Sequence, residues 1–283
     1  MSASWIFGVA ALLVVGFILD REIYFYEGTH LGPRVQAWLY DRWAKKYDAG
    51  KRESQLRDTE MLARPLLDQL KDISEPFLLD FATGTGRLSY ALLSQPEFKG
   101  HIIALDLSQG MLEQAATKLN GMGRNERSSA GRVELLRHQS LPLPFPNSAF
   151  DAVCALEVLE LFPDMDEPLA EFSRVLRPGG VFLTSRGTEE SGRKAKVKSK
   201  IVFGALLTKY DFENHEISRW WKLFDRVLAR KQGSSAAVEA RTLSAVLRCP
   251  KCGRSEWKKE AGQIICQSCR KELSITGEGI VLG

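Results

Sequence analysis

An α/β fold with a mostly parallel sheet is predicted for this 283-residue chain, because short apolar runs alternate with helical segments along its middle. Two further observations concern the ends. A stretch of 17 residues without charge lies near the N-terminus, and four of the five cysteines form two CxxC pairs near the C-terminus. With 44% hydrophobic and 26% charged residues and a net charge of +4, the composition excludes a disordered chain and a bundle of many membrane spans.

The uncharged stretch, residues 3–19, predicts a single membrane-spanning helix. At about 1.5 Å per residue it reaches roughly 25 Å, near the short limit for a bilayer core of about 30 Å. Seven basic residues follow it within residues 21–52 and none precedes it, so the positive-inside rule predicts an N-terminus outside and a catalytic domain on the cytosolic side. A cleaved signal peptide and a buried or surface-lying helix are the alternatives.

Seven runs of residues predict the strands of one sheet. Five of them are nearly continuous apolar runs, which are typical of parallel strands buried on both faces. Two later runs predict a closing pair of strands. The predicted strands are residues 77–83, 101–107, 133–139, 150–156, 181–186, 212–219 and 222–229.

Helices are predicted in the intervals between these strands. Ser108 is a suitable N-cap for a helix over residues 109–120. A helix over residues 164–176 is expected to end at the Arg-Pro-Gly-Gly sequence that follows it. A further helix is predicted over residues 195–210, and the segment QGSSAA at residues 232–237 is typical of a flexible linker.

A glycine-rich turn follows the first predicted strand, where residues 78–92 have the sequence LLDFATGTGRLSYAL. Gly84 and Gly86 permit backbone conformations and close approaches that a Cβ would block. Alone, such a turn is also typical of an ordinary strand-to-helix connection. Asp106 ends the second strand 20 residues after Gly86, where a carboxylate in a nucleotide-binding βαβ unit accepts hydrogen bonds from ribose hydroxyls.

Six segments, in the same order, resemble the class I S-adenosylmethionine (SAM)-dependent methyltransferases, and the turn lacks the GxGxxG pattern of dinucleotide enzymes. The segments are YDRWAKKYD (40–48), LDFATGTG (79–86), ALDLSQGMLEQA (104–115), LPFPNSAFDAV (143–153), EVLELFPD (157–164) and RVLRPGG (174–180). The resemblance is to the branch that contains the quinone-biosynthesis methyltransferases and their small-molecule and lipid-modifying relatives. It implies a Rossmann-like, seven-stranded methyltransferase sheet.

The resemblance also implies which residues bind SAM. Asp106 corresponds to the residue that binds the ribose hydroxyls, Leu107 to one on the adenine face, and the glycine-rich turn to contacts with the methionine and ribose portions. Gln139 replaces a usually acidic residue, and its carbonyl can still accept a hydrogen bond from the adenine amino group. The implied cofactor-binding residues are Tyr47, Asp80, Gly84, Thr85, Gly86, Asp106, Leu107, Gln139 and Ser140.

Glu157 is the catalytic candidate, because the corresponding family position lies at the end of the fourth strand and faces the cofactor. A role as a cap or salt-bridge partner is the alternative. Tyr40 and Tyr47 are expected to cover the cofactor, or else to serve in packing alone. Since the sulfonium is already an activated electrophile, alignment and exclusion of water are sufficient and no catalytic triad is needed.

The two CxxC pairs predict a structural Cys₄ zinc site, because four thiolates leave no open coordination position for water. The predicted ligands are Cys249, Cys252, Cys266 and Cys269. The segment resembles a zinc ribbon that is found fused to such methyltransferases. Nucleic-acid binding is not expected, because glutamates dilute the basic charge of the segment and its one aromatic residue is Trp257.

The predicted organisation is an anchor and flank (1–28), a methyltransferase domain (29–231), a linker (232–247) and a Cys₄ zinc ribbon (248–283). The predicted function is a membrane-anchored SAM-dependent methyltransferase that acts on a lipophilic small molecule, either a quinone precursor or a lipid. The basic run at residues 193–200 is typical of a solvated helix end, and the alternative, on an anchored protein, is a contact with anionic lipid headgroups. The alternatives are a protein or RNA methyltransferase that uses the ribbon for recognition, and a non-catalytic scaffold.

Overall fold

The computed structural model of the chain describes residues 3–122, 131–190, 197–238 and 240–283, with side chains from residue 7 onward. Its helices are α1 (Ala3–Asp20), α2 (Pro33–Gln55), α3 (Arg64–Leu70), α4 (Arg87–Leu93), α5 (Gln109–Asn120), α6 (Asp166–Val175), α7 (Lys200–Lys209) and α8 (Leu243–Val246). Its strands are β1 (Phe77–Phe81), β2 (His101–Asp106), β3 (Val133–Arg137), β4 (Phe150–Ala155), β5 (Leu176–Gly187), β6 (Phe212–Trp221), β7 (Phe224–Lys231), β8 (Trp257–Glu260), β9 (Gln263–Cys266), β10 (Glu272–Ser274) and β11 (Ile280–Leu282).

The central sheet has the strand order β11-β3-β2-β1-β4-β5-β7-β6. Strands β1 to β5 and β11 run parallel, whereas β7 pairs antiparallel with both β5 and β6. Each of the seven predicted strands is therefore confirmed, and the predicted closing pair is the β6–β7 hairpin. The order also changes direction between β1 and β4, which is where open α/β sheets bind their ligands.

The predicted number of seven strands is wrong, because β11 adds an eighth strand to the central sheet. Ile280 and Val281 are buried and pair in parallel with Leu135 and Leu136 of β3. The backbone N–H of Gly283 extends this ladder by donating to the carbonyl of Arg137 at 3.0 Å. The cysteine-containing segment thus returns its last strand to the edge of the central sheet.

The predicted helix boundaries are confirmed where a cap or a packing surface fixes them. Ser108 caps α5, since its Oγ accepts a hydrogen bond from the N–H of Met111 at 3.1 Å. At the end of α6 the chain enters β5 directly, so the Arg-Pro-Gly-Gly sequence belongs to the start of that strand. Helix α7 begins after Ser199, and the predicted start at residue 195 lies outside the described residues.

The core consists of two apolar layers, one on each face of the central sheet. The first layer contains stacked phenylalanines from different strands, with ring centroids 4.9 Å apart for Phe77 and Phe150 and 4.4 Å apart for Phe182 and Phe212. All five residues of β1 and all six of β4 are buried. Burial on both faces explains why these strands appear as continuous apolar runs in the sequence.

The prediction of a membrane-spanning anchor is wrong. In the part of the chain that the structure describes, no helix combines the length and the apolar character needed to cross a membrane. Helix α1 has 18 residues and is therefore about 27 Å long, which is shorter than a hydrocarbon core of about 30 Å. The single-pass membrane localisation with an outside N-terminus is wrong for the same reason. Half of the basic run at residues 193–200, namely residues 193–196, lies outside the described residues.

A buried ion pair joins β5 to β7 near one end of the sheet. The guanidinium of Arg186 donates to Oδ2 of Asp225 at 2.6 Å, and the two side chains are 1% and 0% exposed. Arg186 also donates to the more exposed carboxylate of Glu189 at 2.9 Å. Removing Asp225 leaves the buried guanidinium of Arg186 paired with the exposed carboxylate of Glu189 and without its buried counter-charge, which destabilises the fold.

We therefore expect Asp225→Ala to lower the free energy of unfolding by about 3 kcal/mol. Urea denaturation of the full chain measures this change. Replacing both partners, as in Arg186→Met with Asp225→Leu, is expected to restore most of the loss, because no unpaired charge then remains in the core. A single variant as stable as the double variant would show that the pair has no such role.

Candidate active site

A cavity of about 380 Å³ opens at the carboxyl ends of the parallel strands. The segments that follow β1, β2, β3 and β4 supply most of its lining, and helix α2 covers it from one side. It therefore lies at the position where the change in strand order separates the loops on either side of β1 and leaves a crevice.

Seven of the ten predicted cofactor-binding and catalytic residues line this cavity. They come from five separate parts of the chain, which the strand order brings together at one edge of the sheet. The lining residues are Tyr47, Gly84, Asp106, Leu107, Gln139, Ser140 and Glu157. Asp80, Thr85 and Gly86 lie outside the lining and contribute to the shape of the turn.

Asp80 stabilises the glycine-rich turn from within the core. Its Oδ2 accepts hydrogen bonds from the hydroxyls of Thr83 at 2.7 Å and Ser89 at 2.8 Å. Burial raises the pKa of Asp80, and the two hydroxyls oppose that rise. The residue thus links the end of β1 to the first turn of α4.

Thr85 and Gly86 fix the turn against the neighbouring helices. The hydroxyl of Thr85 donates to Oδ1 of Asp48 on α2 at 2.5 Å. Gly86 has a φ of 74°, and a Cβ there would lie 3.1 Å from the Cβ of Ala115 on α5. A side chain at this position would combine backbone strain with a tight contact, which explains the glycine.

Asp106 is held in place by backbone amides at the end of β2. Its Oδ2 accepts from the N–H of Gly84 at 2.8 Å and its Oδ1 from the N–H of Ser108 at 2.9 Å. Burial raises the pKa of Asp106 to about 6, and these amide hydrogen bonds oppose the rise. At neutral pH the group is a carboxylate that can accept further hydrogen bonds.

Other lining groups fit a polar, nucleoside-containing ligand such as SAM. Within the described residues, Nε2 of Gln36 and Nε2 of His138 are buried and have no hydrogen-bond partner. A Cβ on Gly84 would meet no protein atom within 4 Å, so the space beside the turn is open. The amide of Gln139 donates to the carbonyl of Leu107 at 3.4 Å, which orients the side chain at the cavity wall.

Helix α2 presents Tyr40 and Tyr47 to the cavity, and two further residues of α2 lie on the same face at helical spacing. Tyr40, Trp43, Tyr47 and Lys51 follow one another at intervals of three or four residues. Burial raises the pKa of both Tyr40 and Tyr47, so their phenols stay protonated at neutral pH. The hydroxyl of Tyr40 donates to Oε2 of Glu27 at 2.5 Å.

Glu157 lies directly after β4 with a φ of 54°, a conformation that costs free energy for a residue with a Cβ. The hydroxyl of Ser185 accepts from its backbone N–H at 2.7 Å. Its carboxylate pairs with Lys51 through one oxygen and accepts from Arg87 through the other at 2.9 Å. A carboxylate placed between two cations fits the salt-bridge alternative for Glu157.

A second cavity of about 220 Å³ adjoins the first. Tyr40, Tyr47 and Glu157 line both cavities. The apolar part of the second lining comes from the side chains of Trp43, Val197, Leu223 and Phe224, and the polar part includes those of Lys51 and Glu160. These three residues therefore form a wall shared by the two cavities, with space for one molecule on each side of it.

Three charged residues around Glu157 were not predicted from the sequence. Lys51 could have been found, because it continues the helical spacing of Tyr40 and Tyr47. Arg87 follows Gly86 directly and donates to both oxygens of Asp58, at 2.7 and 2.6 Å. The sequence around Asp58 gave no indication of its ion pair, because the partner, Arg87, lies in a distant segment.

The four predicted cysteine ligands come together as one cluster. Their Sγ atoms all lie within 4.8 Å of one another, and the shortest separations are 3.5 Å for Cys249 and Cys269 and 3.6 Å for Cys252 and Cys266. Ligand bonds of about 2.3 Å in a tetrahedral thiolate site give separations of about 3.8 Å. The cluster is compatible with a bound zinc ion. It lies beside the small antiparallel sheet of β8, β9 and β10.

Comparison with known proteins gives matches to methyltransferases. The family model described as "Methyltransferase domain" matches residues 79–184. The chain is similar to a demethylmenaquinone methyltransferase of Lactobacillus johnsonii, with 29% identity over 192 residues, 64% of this chain and 77% of the relative. It is also similar to the ubiquinone/menaquinone biosynthesis C-methyltransferase UbiE of Francisella tularensis, with 35% identity over 106 residues, 38% of this chain and 40% of the relative.

The fold has counterparts among solved structures. A SAM-dependent methyltransferase from Aquifex aeolicus superimposes with a TM-score of 0.54 and 22% identity, covering 68% of this chain and 98% of the other. At this identity the likeness shows the fold alone. The alignments with sequence relatives span between 40% and 77% of the two relatives named above.

Proposed function

We propose that this class I SAM-dependent methyltransferase, which is related to quinone-biosynthesis methyltransferases, methylates a lipophilic small molecule of the quinone-precursor class. The observation that carries the proposal is the pair of adjoining cavities with a shared wall. The first has the polar groups that suit SAM, and the second is lined largely by aromatic and aliphatic side chains. The quinone-biosynthesis activities for which the two relatives are named support the same class of acceptor.

In this proposal the cofactor-binding residues act through the first cavity. Asp106 accepts hydrogen bonds from the ribose hydroxyls, and Leu107 packs on the adenine face. Gln139 accepts from the adenine amino group, and Gly84 allows the backbone to approach the methionine portion. When bound, SAM supplies a methyl group that is activated by the positive charge on its sulfur.

Besides binding SAM, the protein has to align the acceptor with the methyl group and exclude water. Tyr40 and Tyr47 belong to the wall between the two cavities, and their protonated phenols can donate hydrogen bonds. Glu157 stays the candidate beside the transferred methyl group, and its pairing with Lys51 and Arg87 favours an electrostatic role.

The proposed role of Asp106 predicts that SAM binding weakens in acid. Ribose hydroxyls donate to the carboxylate and not to the protonated acid, so affinity falls as pH drops through about 6. Calorimetry should give a dissociation constant about tenfold larger at pH 5 than at pH 7.5. The Asp106→Asn variant should bind more weakly and show a flatter profile, and an unchanged profile in that variant would assign the dependence to another group.

We also propose that the cysteine cluster binds a structural zinc ion. Four thiolates at the observed separations fit a closed tetrahedral site, and a segment of 36 residues at the C-terminus gains stability from such a metal. The test is the zinc content of the purified full chain by mass spectrometry, with about one ion per chain expected.

The function itself is tested with SAM labelled in its methyl group. The full chain is incubated with a cell extract and the label is then measured in the organic-soluble, protein and RNA fractions. We expect label in the organic-soluble fraction, absent from a reaction with heat-denatured protein. Label in protein or RNA alone would overturn the proposed acceptor class.

A further inference from the structure

Arg87 contacts the carboxylate of Glu157 from outside both cavities. Its Nη1 donates to Oε1 of Glu157 at 2.9 Å. Glu157 lines both cavities, whereas Arg87 and its partner Asp58 line neither of them. Arg87 is therefore not placed to touch a molecule bound in either cavity, and its influence on such a molecule passes through Glu157.

The guanidinium of Arg87 is held in one orientation by groups other than Glu157. Its Nε and Nη2 donate to the two oxygens of Asp58 at 2.7 and 2.6 Å, and Nη2 also donates to Oγ of Ser54 at 3.3 Å. The Cζ atom lies 4.9 Å from the ring centroid of Trp220, which is buried in β6. A bidentate carboxylate and an aromatic face together fix the plane of a guanidinium. Arg87 therefore directs Nη1 at Glu157 from a fixed position.

Glu157 depends on its neighbours for its conformation. Its φ of 54° costs free energy, and such a conformation persists only where the surrounding structure holds the residue. Lys51, the second cation on its carboxylate, is 31% exposed and ends in a rotatable ammonium group, whereas Arg87 is 11% exposed and ends in a planar fork. The more rigid of the two partners, Arg87, therefore determines where the carboxylate lies.

We propose that Arg87, oriented by Asp58, is a positioning residue for methyl transfer that fixes the carboxylate of Glu157 on the wall shared by the two cavities. This inference rests on the proposed function, since that wall separates the proposed SAM and acceptor sites. A displacement of about 1 Å near the reacting groups lowers a rate by about 100-fold, so a residue that only holds Glu157 in place has a large effect on turnover.

The test is a double-mutant cycle on the full chain with Arg87→Met, Glu157→Ala and the variant that carries both. Initial rates are measured with saturating methyl-labelled SAM and a cell extract, by counting the label in the organic-soluble fraction. Each single variant should lower the rate by about tenfold or more. The variant with both changes should be no slower than Glu157→Ala alone, because Arg87 acts through Glu157. In Arg87→Met the dissociation constant of SAM, measured by calorimetry, should stay within about twofold, since Arg87 does not line the first cavity.

A second variant separates positioning from folding. Arg87→Met leaves the carboxylate of Asp58 buried without its cation, so Arg87→Met is combined with Asp58→Leu to remove both charges. This variant should unfold at the wild-type temperature, bind SAM as the wild type does, and still show the loss of rate. The matched control is Arg64→Met, which removes an exposed guanidinium paired with Glu60, outside both cavities, and should keep the wild-type rate.

Two results would overturn the role of Arg87 and leave the proposed function intact. The first is an Arg87→Met chain that transfers label to organic-soluble material at more than about a third of the wild-type rate. The second is a loss of rate that multiplies with the loss caused by Glu157→Ala, since Arg87 would then act independently of Glu157. Label confined to protein or RNA in the wild-type reaction would instead overturn the proposed function.

Discussion

Replacing Asp106 with alanine is expected to weaken SAM binding by about 100- to 1000-fold. Two hydrogen bonds to a buried carboxylate contribute about 3 to 4 kcal/mol together, and both are lost in the variant. The substitution also leaves the backbone amides of Gly84 and Ser108 without the acceptor that holds the turn. Calorimetric titration of the full-length variant with SAM measures the effect.

The control for this variant is Asp72→Ala, which removes an exposed carboxylate distant from the cavity and should leave affinity unchanged. Circular dichroism of both variants distinguishes lost binding from lost folding. If Asp106→Ala binds SAM as tightly as the wild type does, the cavity at the carboxyl end of β2 is not the ribose site.

Replacing Cys266 with serine is expected to abolish stoichiometric zinc binding and to destabilise the C-terminal segment. In small zinc modules the metal contributes on the order of 10 kcal/mol of folding free energy, and a closed site depends on all four thiolates. Because β11 pairs with β3, the effect should reach the central sheet. His138 and Gln139 follow β3 and line the first cavity, so we expect SAM affinity to fall by about fivefold.

Zinc content, thermal unfolding and SAM titration of the full-length variant measure these three effects. The matched control is Cys154→Ala, which removes the one cysteine outside the cluster, buried in β4. It should keep its zinc. A Cys266→Ser chain that still holds one zinc ion would contradict the four-thiolate site.

The parts of the fold predicted from sequence are those that local pattern determines. Strands buried on both faces appear as continuous apolar runs, and the cap at Ser108 places α5 to the residue. The eighth strand was missed because Ile280–Leu282 is three residues long and its identity as a strand depends on pairing with β3, which is distant in sequence. The anchor was wrongly predicted from the absence of charge in residues 3–19.

The residues of the candidate site also fall into those that the sequence predicts and those that depend on long-range packing. Seven of the ten predicted residues line the first cavity, because the carboxyl ends of parallel strands meet at one edge of a sheet. The helical spacing of Lys51 could have placed it near Tyr47, but the ion pairs of Glu157 with Lys51 and Arg87 could not be predicted, because they join segments that are distant in sequence.

The central claim is that this chain transfers a methyl group from SAM to a lipophilic small molecule through the first cavity. The most direct measurement is mass spectrometry of the organic-soluble products formed by the wild type and by Asp106→Ala in parallel reactions. We expect the wild type to yield a product heavier than its precursor by one CH₂ group, in equal amount to the S-adenosylhomocysteine released, and the variant to yield little of either. S-adenosylhomocysteine formed by the wild type without any methylated organic-soluble product would contradict the claim.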